Sequence, residues 1–346
     1  MVFALNKKNV KTIIGLLFVI SGMAGLIYQI VWFKYLGLFL GNTTYAQITV
    51  LATFLGGLAL GNFLFGRNAD AVKNPVRVYS LLELTIGLYC FSYPTLSSIL
   101  GNVFLSMSSN LNLETQLFVF NSFRFLISAI LLLIPTALMG GTLPVLSKFF
   151  VEKISESRKE VALLYFLNSF GAVIGVIFAG FILIKDFGLE ITNYTTAAIN
   201  ILLGVAAFAL SFSIKNFPAE VKPLTEVPEE QAHNKNISSK VIILVAGISG
   251  MAALLYEMVW TRLLINFFGS STYAFSIMLL SFIGGITIGS FIISLKFLSK
   301  FNYVKLLSFC QAAIALSTIA VLSLYERLPY YLWRFSALLN KSDETF

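Results

Sequence analysis

Of the chain's 346 residues, 58% are hydrophobic and only 12% charged, with a mean hydropathy of +0.86. Apolar runs of about 18 residues or more recur along it, which excludes a soluble globular domain and makes the lipid bilayer its solvent. The net charge of +8 comes without the basic, aromatic-interleaved face that nucleic acid requires, so no nucleic acid partner is expected.

Within a bilayer the backbone must satisfy its own hydrogen bonds, so only helices and closed barrels can span it. The runs are too long for barrel strands and lack their alternation. The expected fold is therefore all-α, a polytopic integral membrane bundle. At its start MVFALNKKNVK has the positive flank of a signal peptide. The apolar stretch behind it runs on without a small-residue cleavage site, so it reads as an uncleaved first span.

Spans follow at about 12–40, 43–65, 77–99, 117–150, 159–184, 190–213, 241–266, 271–298 and 303–325, nine in all. The prolines and acidic groups of Lys215–Lys240 show no apolar periodicity and mark a linker. The chain thus divides into a first membrane half (1–214, six spans), a cytoplasmic linker (215–240) and a partial second half (241–346, three spans). With the N-terminus in the cytoplasm, 17 of the 24 Lys and Arg fall at cytoplasmic ends and seven at or near the outer side. That is the positive-inside bias of a multi-pass cell (inner or plasma) membrane protein.

The two halves are copies. Ile20–Leu64 and Ile248–Ile292 align without a gap at an offset of 228, and 21 of 45 positions are identical. The matches include Tyr28/Tyr256, Trp32/Trp260, Gly57/Gly285 and Gly61/Gly289. A period this long indicates two halves of one bundle, as in transporters built from parallel repeats. The second half answers only the first three spans, so the duplication reads as cut short at Phe346. Either the polypeptide is a fragment of a longer product or its second half is naturally abbreviated.

SGMAGLIYQIVW and SGMAALLYEMVWTRLL, GNTTYA and GSSTYA, PTALMGGTLPVLSKFF at Pro135–Phe150 and LYFLNSFGAVIGVIFAGF at Leu164–Phe181 together resemble the membrane region of the fused major-facilitator/spermidine-synthase-like family. The resemblance covers nearly the whole chain. It implies a major-facilitator-like bundle that anchors an aminopropyltransferase-type catalytic domain beyond Phe346, and a polyamine or related small cation as substrate. Gly66, Arg67 and Asp70 in GRNAD resemble the cytoplasmic signature loop of major-facilitator transporters, although Ala71 stands where that loop has a basic residue. The family's catalytic domain would carry a glycine-rich nucleotide turn after a strand, and no such turn is found, so neither aminopropyltransferase chemistry nor a cofactor is expected of this chain. The GxxxG pairs Gly57/Gly61, Gly171/Gly175 and Gly285/Gly289 are assigned to helix packing.

Intramembrane polar groups supply the candidate substrate pathway. Glu83, near the cytoplasmic end of the third span, is either functional or paired with a basic residue such as Arg77. Glu257 has Gln29 as its repeat mate, so the halves differ there by one ionisable group. Tyr256, Glu257 and Trp260 share a helix side, with Tyr28 and Trp32 as their counterparts. An aromatic-flanked acid suits an amine or a proton. The alternative is that Trp32 and Trp260 are interface anchors and Glu257 pairs with Arg262. Arg124 lies near an outer end, where it can snorkel. Asn168, Ser169 and Asn193 either line a cavity or tie helices together. Pro135, Gly140, Gly141 and Pro144 interrupt the fourth span and free carbonyls that must find partners. Cys90 and Cys310 lie in apolar segments as packing residues, and His233 sits in the linker, so no metal site is expected.

Two further readings stand beside the fusion: a stand-alone major-facilitator-type secondary transporter, and a structural membrane scaffold without substrate.

Overall fold

The computed structural model describes residues 7–40, 43–108, 113–151, 157–213, 239–269, 271–295 and 303–325, with isolated positions up to 337. All of its regular structure is helical among these residues. In chain order the helices are α1 (Lys7–Leu40), α2 (Thr43–Asn68), α3 (Pro75–Ser108), α4 (Leu113–Phe150), α5 (Ser157–Phe178), α6 (Ile184–Ser213), α7 (Ser239–Phe268), α8 (Ser271–Ser294) and α9 (Tyr303–Tyr325). Seven stretches are long and apolar enough to cross a membrane, which marks a membrane-embedded protein. One of them, Lys159–Phe212, is 54 residues long and reverses within itself. A π-turn at Ala179–Leu183 runs into Gly188, whose φ of 78° ends the ascent and starts the return. The helix α3 is not among the seven; its carboxylate, proline and hydroxyls dilute its apolarity. The predicted linker, including His233, lies outside the described residues.

Helix ends follow local chemistry. Pro75 occupies the first turn of α3, where its missing N–H costs nothing, and the Asn74 side chain caps that turn by accepting the Arg77 N–H at 3.0 Å. At the other side of the repeat, Gly269 (φ 62°) closes α7 by donating its N–H to the Ile265 carbonyl at 2.9 Å. The short connection from α2 to α3 is a 3-10 turn, Ala69–Ala71, held by Lys148 Nζ donating to the Val72 carbonyl at 2.9 Å.

The chain divides into two units, Met1–Ser294 and Leu295–Phe346. Within the first, α1 packs along α5, α2 along α4, α3 along α6, and α5 along α8. Small residues set these seams. A methyl on Gly57 or Gly61 would run into Thr136 and Ala137 of α4, and one on Gly171 or Gly175 into the backbone of Val19 and Met23 of α1. The GxxxG assignment is thereby met in the first half. In α8 the repeat counterparts, Gly285 and Gly289, have nothing within 4 Å of where a methyl would sit. The second unit is described here by α9, whose apolar side chains, Phe309 and Leu316 among them, are exposed.

The fourth span differs from expectation. It is one continuous helix of 38 residues, not an interrupted one, with Pro135 and Pro144 inside it. The carbonyl four residues before Pro135, Leu131 O, has lost its usual donor, and the Tyr89 hydroxyl of α3 replaces it at 2.9 Å. In α3 itself Pro94 strips the Cys90 carbonyl in the same way, and Asn193 of α6 donates to it at 2.8 Å. At Pro135 and Pro94 a neighbouring helix thus supplies a donor in place of the missing N–H, and the helices continue without a break.

Candidate functional site

The interior of α1, α3 and α6 is ordered in layers seven residues apart, two helical turns or about 10 Å. The innermost on the N-terminal side is apolar: Ile14, Val76 and Ala207, all fully buried. Seven residues on comes a polar layer of Ser21, Glu83 and Asn200. Seven further comes Tyr28, Cys90 and Asn193. The period keeps one face of each helix turned to the other two, since α3 runs with α1 and α6 runs against them.

Glu83 is the centre of the middle layer. It is fully buried, and its two carboxylate oxygens accept one bond each, from Ser21 Oγ at 2.6 Å and from Asn200 Nδ2 at 2.8 Å. Tyr79, one turn earlier on α3, is fully buried with its hydroxyl turned to Ser21 and the Glu83 carboxylate. Both bonded partners are neutral. Arg77, the basic residue expected to pair with Glu83, instead lies over the Phe208 and Phe212 rings, 5.4 and 6.0 Å from their centroids. The depth also differs from expectation: Ser21 is ten residues, about 15 Å of helix, beyond Lys11. This places Glu83 well inside the apolar bundle. A buried ion without a counter-ion costs several kcal/mol (on the order of 3–5), so the arrangement calls for a proton or a cation.

The next layer is aromatic. Tyr28 and Trp32 stack at 5.5 Å, Trp32 meets Tyr93 at 5.5 Å, and Tyr35 closes on Tyr93 at 5.7 Å. Tyr28, Trp32 and Tyr93 are all fully buried. Trp32 is therefore a core residue and not an interface anchor. The Tyr28 hydroxyl lies beside the buried Cys90 thiol. Unpartnered polar atoms concentrate across these layers: Tyr28 Oη, Trp32 Nε1, Tyr35 Oη, Tyr93 Oη, Asn193 Oδ1 and Asn200 Oδ1. Native interiors leave few such atoms unpaired, and a cluster of them marks a place for water or ligand.

The remaining candidates are dispersed. Gln29 is buried (4% exposed) beside this stack. Asn168 faces α1, where its backbone meets Gly22, and Ser169 is buried next to it. On α7 Glu257 is buried to 8% exposure, Tyr256 is half-buried, and Trp260 is half-buried against the core. Glu257 does not pair with Arg262, whose guanidinium bonds the Thr44 hydroxyl of α2. Of the signature loop, Gly66 and exposed Arg67 end α2, and Asp70 lies in the 3-10 turn, its side chain outside the described residues. The side chain of Arg124 lies outside them too. No family model, curated protein or solved structure matches the chain.

Sequence reasoning missed Ser21, Tyr79, Tyr93 and Asn200. The seven-residue spacing of 21 and 28, 83 and 90, and 193 and 200 was the available signal. The repeat, expected to reach the third span, does so without a change of offset. At the same offset Val76, Arg77, Ser80, Glu83 and Ile86 meet Val304, Lys305, Ser308, Gln311 and Ile314.

Proposed function

We propose that this chain is the membrane region of a spermidine-synthase-like protein, and that its bundle takes up a small organic cation, a polyamine or related amine, at Glu83. The observation that carries the reading is the carboxylate itself: fully buried, with neutral hydroxyl and amide partners. Asn200 Oδ1 in the same layer and, one layer on, Asn193 Oδ1 are unpartnered acceptors. An ammonium brings three N–H donors and the missing positive charge. The aromatic faces of Tyr28, Trp32 and Tyr93 beyond it suit the methylenes of a polyamine, and a second ammonium there would gain cation–π attraction. In this reading the bundle has nine spans in a major-facilitator-like arrangement, sits in the cell membrane with its N-terminus in the cytoplasm, and serves a catalytic domain beyond Phe346.

A stand-alone secondary transporter is the second reading, favoured by the internal repeat and by the same buried carboxylate. Uptake of labelled spermidine into proteoliposomes separates both from a scaffold. Saturable uptake that is lost in Glu83→Gln supports a pathway through this layer. Uptake no faster than into protein-free vesicles refutes it.

A further inference from the structure

Continued through the third span, the repeat shows a reciprocal exchange. The first half carries Gln29 on α1 and Glu83 on α3; the second carries Glu257 on α7 and Gln311 on α9. Each half thus holds one acid and one amide at the same two repeat positions, with the roles swapped. The positions differ in depth, since Gln29 lies eight residues, about 12 Å, beyond Ser21 of the Glu83 layer. In parallel repeats these positions put the two carboxylates at two different levels.

The surroundings of the two acids differ as well. Glu83 has bonded polar partners and unpaired acceptors next to it. Glu257 is more than nine-tenths buried, and no side chain among the described residues bonds its carboxylate. The hydroxyl one turn on, Thr261 Oγ1, is spent on the Glu257 backbone carbonyl at 2.8 Å. The helices packed against α7 are α8 and α2. Along α8 there is no charged residue, and its Tyr273 is stacked on Phe181. On α2 the ionisable groups are Tyr45, which is exposed, and Arg67 at the far end of the helix. Arg262 of α7 itself is turned to Thr44. A metal cation needs a cage of several oxygens, which this setting does not offer, whereas a proton needs one.

We propose that Glu257 is a proton station, separate in depth from the amine site at Glu83, so that the two halves handle two different cations. The inference rests on the amine reading only for the identity of the second cation. Its step is simple: the Glu257 carboxylate takes one proton from water on one side of the membrane and returns it to water on the other, with no other bond changed.

The test uses the full chain in lipid nanodiscs and vesicles. Infrared difference spectra across a pH titration should show a carboxylic-acid signal that disappears in Glu257→Gln and persists in Glu83→Gln. The Gln substitution is one the first half already tolerates at Gln29; if it fails to fold, Glu257→Asp should keep a shifted signal. In vesicles a pH gradient should speed labelled spermidine uptake at least fivefold, and Glu257→Gln should abolish that stimulation. An unchanged infrared signal or an unchanged gradient response in Glu257→Gln overturns the proposal, as does stimulation by a sodium gradient in place of a pH gradient. If the wild type takes up no spermidine, the amine reading fails, and the infrared arm alone decides Glu257.

Discussion

The same sequence motif meets two environments in this molecule. In α2 the Gly57 and Gly61 face is filled by Thr136 and Ala137 of α4, while in α8 the Gly285 and Gly289 face is open. Repeat-related helices therefore owe their packing to what neighbours supply, and a GxxxG pair is a capacity for close approach, not a contact. The tryptophans repeat the lesson. Trp32 is sealed inside the first half by Tyr28, Tyr93 and Phe54, whereas Trp260 remains half-buried.

The sharpest way to break this comparison is to make one substitution in both copies. Gly61→Leu should cost about 3 kcal/mol or more, because its side chain must displace α4 backbone, and Gly289→Leu should cost less than about 0.5 kcal/mol. Unfolding in detergent micelles measures both, and equal costs would mean that the two faces are equally filled. Next in size, Trp32→Ala should lose about 3–5 kcal/mol and Trp260→Ala about half of that or less. A smaller effect isolates the proline repair. Asn193→Ala should cost about 1–3 kcal/mol by orphaning the Cys90 carbonyl. In a Pro94→Ala background the helix regains its own donor and most of that cost should vanish. The second half has Leu322 where α3 has Pro94, so it needs no such asparagine. Additive costs in the double variant would show that the Asn193 bond does not serve the proline.

How much of this was legible in advance follows from what each signal measures. Apolar run length reflects a one-dimensional requirement of the bilayer, so helix positions were readable from residues alone. Most helix ends fall within a few residues of expectation; α3 runs nine residues past its expected end, α5 gives way to the π-turn about six residues early, and within α4 proline was taken as an interruption. Proline removes a donor from its own helix, but whether the helix breaks depends on a neighbour such as Tyr89, and that is a three-dimensional fact. Glu83 was visible as an intramembrane acid. Its partners were not, because Ser21 and Asn200 lie 62 and 117 residues away in sequence and carry no individual mark. The ion pairs weighed as alternatives for Arg77 and Arg262 are not made, for the same reason: proximity along a helix says little when an aromatic face or a hydroxyl on another helix competes.

The account's central claim is that Glu83 holds an organic cation, and equilibrium binding of labelled spermidine to the purified chain tests it most directly. The wild type should bind saturably, with affinity falling as acidification protonates the carboxylate, and Glu83→Gln should weaken binding by at least about tenfold, or 1.4 kcal/mol. Binding that is equal in wild type and Glu83→Gln, and indifferent to pH, would contradict it.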